Sequence, residues 1–180
     1  MLTVTDDGLK KRLRACYIDD ETDNLEGFRL NFEDFWDIHL FQYPEDFLSS
    51  KTPLYPEYDL VVVDLALYGK RRGHPHRRIL ENMYWKSRSH TLSQYFPDPS
   101  RGLNLLWHLD QRFGHMALAT LTAVPPWQLE PYCRMFSMFE KLLYLEKPIN
   151  LSHPRIRERL ETHVQRVQNK WLRQVRVVRN

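Results

Sequence analysis

The sequence has no apolar run long enough to cross a bilayer. Its first fifteen residues, MLTVTDDGLKKRLRA, place charges where a secretion signal needs an apolar stretch. Both features predict a cytoplasmic protein without membrane contact. There are two cysteines, Cys16 and Cys133, far apart and without CxxC or Cys/His ligand spacing. That excludes a disulfide framework and a zinc-finger-like site, and each cysteine reads as a small buried hydrophobe. Internal repeats and low-complexity tracts are absent as well.

What is present fits a globular chain. Over 180 residues, 42% are hydrophobic and 27% charged, enough for one core with an appendage and too little for two ordinary domains. The formal net charge of +3 conceals a division. Residues 69–101 carry eight Lys/Arg against two Asp/Glu, and residues 151–180 repeat those counts. The rest of the chain is therefore acidic, with two basic appendages.

The stretch Asp59 to Asp64, DLVVVD, packs three β-branched residues between polar ends and reads as a short strand buried on both faces. A first strand is predicted at 13–18, LRACYI, running into Asp19, Asp20 and Glu21. A helix from Thr22 to about Asp34 follows, with Leu25, Phe28 and Phe32 on one stripe. Ile38, Leu40 and Gln42 alternate as in a second strand, and Pro44 opens a short helix through Leu48. Beyond the basic segment, Leu103, Leu105, Leu106, Leu109 and Phe113 outline an amphipathic helix starting at Gly102, and MALATLTAV from Met116 holds a fourth strand. A helix from Pro125-Pro126 to about Lys141 and a fifth strand in LLYLEKPI complete the alternation. Such alternation predicts an α/β fold with a doubly wound parallel sheet.

Parallel strands deliver their carboxyl ends to one crevice, which is predicted to gather Asp19, Asp20, Asp64, Thr122 and Lys147. Adjacent carboxylates repel, so the acidic cluster is either solvated or neutralised by a cation, and hard oxygen ligands suit Mg²⁺. A cation and a lysine cancel the charge of a phosphoryl group, a threonine hydroxyl bonds one of its oxygens, and a carboxylate can act as nucleophile. Taken singly, each has a plainer use: Asp64 and Thr122 as caps, Lys147 as a surface charge, the acids as a helix N-terminal cluster.

In these motifs the chain resembles the receiver domain of two-component response regulators. CYIDDE resembles the acidic pair after the first strand, LVVVDL the phosphoacceptor strand, LATLTA the fourth strand with its hydroxyl residue and alanine, and YLEKP the lysine followed by proline. The resemblance spans about residues 12–150, except for the basic segment. It implies a five-stranded flavodoxin-like sheet of order 2-1-3-4-5 and Asp64 as acceptor of a phosphoryl group from a sensor histidine kinase or phosphotransfer protein. It implies Mg²⁺ held by Asp20, Asp64 and the Ala66 carbonyl, with Asp19 acting through water. Thr122 and Lys147 would grip the phosphate, and Tyr144 would turn inward as Thr122 moves, a two-state element biased by local charge. Such a domain is not an enzyme beyond its own phosphorylation and dephosphorylation.

The chain departs from that pattern after the acceptor, where Leu67-Tyr68-Gly69 replaces the usual Met-Pro and residues 69–101 intervene. A βα loop ordinarily takes about 2 to 6 residues, so these 33 read as an insertion. Tyr84, Trp85, Tyr95 and Phe96 give it a lid-like, partner-binding character, while His74 and His76 lack the further ligands a metal needs. From Leu160, apolar residues recur through Val164, Val167, Trp171 and Val178. This predicts a long C-terminal basic amphipathic helix over 151–180 that docks on the sheet, on a second copy as a homodimer, or on both. Its basic face also permits nucleic-acid contact, ranked behind a protein partner because thirty residues leave no room for an ordinary DNA-binding domain. The expected function is a stand-alone, Mg²⁺-dependent receiver that changes protein contacts. A phosphorylation-independent adaptor acting through the basic segment and tail is the alternative. A phosphatase of the aspartate-nucleophile type is set aside, because Ala66 stands where its general acid belongs.

Overall fold

A computed structural model of the protein describes residues 12–50, 58–67, 100–113, 115–133, 141–147 and 154–178. Five strands, β1 (Leu13–Ile18), β2 (Trp36–Phe41), β3 (Leu60–Val63), β4 (Ala117–Thr122) and β5 (Leu143–Glu146), form one parallel sheet of order β2-β1-β3-β4-β5. The helices among the described residues are α1 (Thr22–Phe32), α2 (Pro44–Ser49), α3 (Ser100–Arg112), α4 (Pro126–Cys133) and α5 (Pro154–Val178). This is the α/β architecture and strand order expected from the sequence.

The lack of alternation in LVVV has a direct cause. Leu60 and Val62 belong to a core layer with Ala15, Tyr17, Leu25, Phe28, Ile156, Leu160 and Val164, beneath α1 and α5. Val61 and Val63 belong to the opposite layer with Cys16, Ile18, Phe47, Leu103, Leu106 and Leu109, beneath α2 and α3. A central parallel strand is covered on both faces, so every position is apolar. Cys16 is a buried free thiol, as its isolation suggests.

Several boundaries differ from the periodicity. Helix α1 stops at Phe32, and the Phe35 amide bonds the Phe32 carbonyl at 2.9 Å to turn the chain. Strand β2 begins at Trp36 rather than Ile38, because the Trp36 ring stacks on Phe32 with centroids 4.5 Å apart and an interplanar angle of 4°. Tertiary stacking of this kind leaves no two-residue alternation to read. Helix α3 starts two residues before Gly102, since the stripe that announces it begins only where the helix first meets the core. Helix α4 is described to Cys133, and its expected continuation toward Lys141 lies outside the described residues, as does the basic segment up to Pro99 with His74, His76, Tyr84, Trp85, Tyr95 and Phe96.

The described C-terminal helix runs 25 residues, about 37 Å at 1.5 Å per residue. Its first half lies on the sheet through Ile156, Leu160 and Val164, and its second half carries Trp171 and Leu172, 40% and 45% exposed. No helix among the described residues is long and apolar enough to cross a membrane.

Candidate functional site

The carboxyl ends of β1, β3, β4 and β5 are tied together by main-chain bonds that carry each side chain to one place. The Asp64 amide donates to the Ile18 carbonyl at 2.9 Å, the Lys147 amide to the Thr122 carbonyl at 2.8 Å, and the Asp19 amide to the Phe41 carbonyl at 3.1 Å. Sheet register therefore assembles Asp19, Asp20, Asp64, Thr122 and Lys147 at one edge.

Within this cluster Asp64 is nearly buried and receives donors on both oxygens. Lys147 Nζ donates to its Oδ2 at 2.7 Å, Thr122 Oγ1 to Oδ1 at 2.7 Å, and the Ala66 amide to Oδ1 at 3.2 Å. Lys147 also reaches Asp19 Oδ2 at 2.9 Å. Burial opposes the Lys147 ammonium, but the Asp64 and Asp19 carboxylates outweigh it and hold its pKa above the ordinary lysine value. It stays charged.

The acids divide their work. Asp19 is fully buried and accepts from the Tyr17 hydroxyl, from Lys147, from the Glu21 amide at 3.0 Å and from Asn24 Nδ2 at 3.3 Å. Burial, and next the Asp64 charge, push its pKa up despite the Tyr17 and Lys147 bonds. Carboxylate oxygens of Asp19, Asp20 and Asp64 lie within 4.8 Å of one another. Three hard oxygen donors at that spacing, carrying negative charge that one lysine does not fully cancel, fit a divalent cation such as Mg²⁺. Asp19 and Asp64 both already accept several donors, so a bound cation would share these carboxylates with Lys147.

The hydroxyl residue of β4 begins a relay. Thr122 Oγ1 accepts from the Val124 amide at 3.2 Å while donating to Asp64, and the Tyr144 hydroxyl donates to the Val124 carbonyl at 2.7 Å. Tyr144 is thus turned in over the β4–α4 turn, and burial, then the Glu146 charge, raises its pKa. Thr122 and Tyr144 are thereby linked through the residue between them, Val124, which bonds both.

Three participants escaped the sequence reading. Tyr17, stacked on Phe28 at 4.5 Å, anchors Asp19 from below. Its position two residues earlier on the same strand face was the available signal. Asn24 reaches back to Asp19 from the first turn of α1. Gly102 lets α3 approach the acceptor loop: a Cβ there would lie 2.5 Å from both the Asp64 carbonyl oxygen and Leu65 Cα.

No protein-family model matches the sequence, and a search of curated proteins finds no match either. Solved structures do match. A CheY-like response regulator receiver domain protein from Methanospirillum hungatei is 14% identical, aligning 89% of this chain with 99% of that one at a TM-score of 0.57. The response regulator TrrA from Thermotoga maritima, solved with Mg²⁺ and BeF, is 16% identical over 84% of this chain and 98% of that one, TM-score 0.54. A protein from Rhodopirellula baltica described as an adenylate cyclase matches at 10% identity and a TM-score of 0.59, over 94% and 100% of the two chains. At such identities the likeness speaks for architecture, and with the strand order 2-1-3-4-5 it gives this chain the fold of the response-regulator receiver domains.

Proposed function

We propose that the protein is a receiver in which the Asp64 carboxylate accepts a phosphoryl group from a phosphohistidine of a sensor kinase or phosphotransfer protein in the cytoplasm. One observation carries this reading: Asp64 is held at once by a lysine ammonium and a threonine hydroxyl, both at 2.7 Å, inside an acidic cluster. A purely structural aspartate needs no such convergence. An Asp64 oxygen attacks phosphorus, the P–N bond breaks, and its electron pair returns to the imidazole of the donor. Lys147 and Thr122 then transfer their bonds to phosphoryl oxygens, as positioned donors aimed at developing charge do. Asp20 and Asp64 would hold Mg²⁺, with the Ala66 carbonyl as a further donor and Asp19 orienting the cluster. The ion supplies charge compensation at the phosphoryl group. The Mg²⁺ and BeF in the Thermotoga maritima structure support the same assignment here.

Output follows from Thr122 and Tyr144. When Thr122 engages the phosphoryl group, the Val124 turn and Tyr144 move with it, which alters the surface around β5 and α5 where protein contacts change. The basic segment 69–101 serves a protein partner, and the distal seam of α5 serves self-association. The chain is no enzyme beyond its own phosphorylation and dephosphorylation.

Incubation with Mg²⁺ and acetyl phosphate is expected to add one phosphoryl group by intact mass, and Asp64→Asn to add none. Equal labelling of both proteins removes Asp64 as acceptor. A folded, Mg²⁺-saturated wild type that never labels makes the chain a phosphorylation-independent adaptor instead.

A further inference from the structure

Tyr17 is a core residue whose polar tip reaches the candidate site. Its ring is fully buried in the layer beneath α1 and α5, stacked on Phe28 with centroids 4.5 Å apart and an interplanar angle of 29°. Strand β1 is paired on both sides there, Tyr17 lying level with Leu40 of β2 and Val62 of β3, so neither backbone nor ring can swing away. The hydroxyl donates to Asp19 Oδ2. A phenol keeps its proton at pH 7 and a carboxylate only accepts, so the direction of the bond is settled.

The other donors on Asp19 act differently. The Glu21 amide and Asn24 Nδ2 hold Oδ1, at 3.0 and 3.3 Å, and fix the plane of the carboxylate. Lys147 Nζ shares Oδ2 with Tyr17 but also lies 2.7 Å from Asp64 Oδ2, so its charge is divided between two acids. Removing the hydroxyl therefore leaves Asp19 in place, held by three donors, but less compensated. Asp19 is fully buried, so bulk water does not replace the lost donor, and oxygens of Asp20 and Asp64 lie within 4.8 Å of its own. Negative charge gained there is felt across the whole cluster, because charges in a buried site are weakly screened.

We propose that Tyr17 sets the cation affinity of the acidic cluster: its hydroxyl takes up part of the Asp19 charge and so weakens the pull of Asp19, Asp20 and Asp64 on Mg²⁺. The inference rests on the proposed reading of these acids as the Mg²⁺ site, and not on phosphoryl transfer to Asp64. A phenylalanine ring would fill the same space in the core, so the hydroxyl is the one part of the side chain that packing does not require. Tyr17 acts only through Asp19, as a positioning residue.

The test is titration of the full chain with MgCl₂, followed by amide NMR shifts, for wild type, Tyr17→Phe and Phe28→Leu. Tyr17→Phe keeps the ring and loses the hydroxyl. It is expected to bind Mg²⁺ about three- to tenfold more tightly, since a hydrogen bond to a charged group is worth about tenfold or more and the cation recovers part of it. Damage to the surroundings of a metal ligand ordinarily weakens binding, so a gain in affinity is a result that a merely structural role does not give. Phe28→Leu disturbs the stack and leaves the hydroxyl, and is expected to lower the urea midpoint while Mg²⁺ affinity stays the same or falls. A Tyr17→Phe affinity within about twofold of wild type, or weaker, overturns the inference, as does equal tightening by Phe28→Leu. A Tyr17→Phe chain without a cooperative unfolding transition makes the hydroxyl a requirement of folding and overturns it too. Acetyl phosphate labelling is scored separately. A wild type that binds Mg²⁺ but never labels removes Asp64 as acceptor and leaves the Tyr17 assignment to stand on the titrations, whereas a wild type without Mg²⁺-dependent shifts removes the cation site and this inference with it.

Discussion

Ala66 and Val124 lie two residues beyond Asp64 and Thr122, the places from which a side chain in the receiver family flanks the water that attacks the phosphoryl group. Neither has a polar atom to orient that water, so on the proposed function the phosphorylated state is long-lived. The two positions differ in what they tolerate. Val124 is fully buried, and a polar replacement there would cost core stability, whereas Ala66 is only partly buried beside Asp64. Ala66→Asn is therefore expected to speed loss of phosphate by about tenfold, equivalent to about 1.4 kcal/mol of barrier. Following phosphate release from labelled protein checks it, and an unchanged or slower rate in the variant contradicts it. At this scale the charged residues of the candidate site were legible because residue type and strand-end position together mark them. Tyr17 and Asn24 were missed: strand alternation places Tyr17 on the same face as Asp19, but an asparagine in a helix carries no sign of the buried carboxylate it serves.

Helix α3 meets the acceptor loop through Gly102, whose amide bonds the Leu65 carbonyl at 3.3 Å. The approach is set by backbone on both sides, so a neighbouring side chain cannot rotate away to make room. Gly102→Ala is expected to destabilise the fold by about 1–3 kcal/mol, the usual cost of overpacking, against roughly 1 kcal/mol gained in helix propensity. Urea unfolding measures the difference, and a stabilised variant would show that α3 can shift outward freely. On the proposed function the same variant also slows acetyl phosphate labelling, because the displaced loop carries Asp64 and Ala66. The sequence displayed Gly102 only as the start of an apolar stripe, two residues inside the real helix. Element order was legible because the helical stripes, such as Leu25, Phe28 and Phe32, follow the period of the structure they form. Element ends were decided by contacts between distant residues, as with Phe32 and Trp36, which no local window contains.

The parallel, doubly wound sheet was legible from the alternation of strands and helices, and its order 2-1-3-4-5 from the resemblance to receiver domains. A long C-terminal helix that docks on the sheet was legible as well, but not where its docked part ends, since Leu160 to Val178 forms one continuous stripe in the sequence. Ile156, Leu160 and Val164 complete the core layer over β1, β3 and β4, and full burial of each is worth about 1.5–3 kcal/mol. Their sum approaches the whole net stability of an ordinary domain, about 5–15 kcal/mol. A chain ending at Asn150 is therefore expected to lack a cooperative unfolding transition, and its failure to associate would say nothing about an interface. The distal half separates the two roles. Trp171 is 40% exposed and rests on His115 with centroids 5.7 Å apart, and Leu172 beside it is 45% exposed. Trp171→Glu places a charge on that end without touching the docked half. Light scattering is expected to give a dimer mass for the wild type and a monomer mass for Trp171→Glu, while the variant keeps a cooperative unfolding transition because its docked half is unchanged. A wild type that stays monomeric at high concentration, or a variant of unchanged mass, would assign the apolar face of α5 wholly to the protein's own sheet.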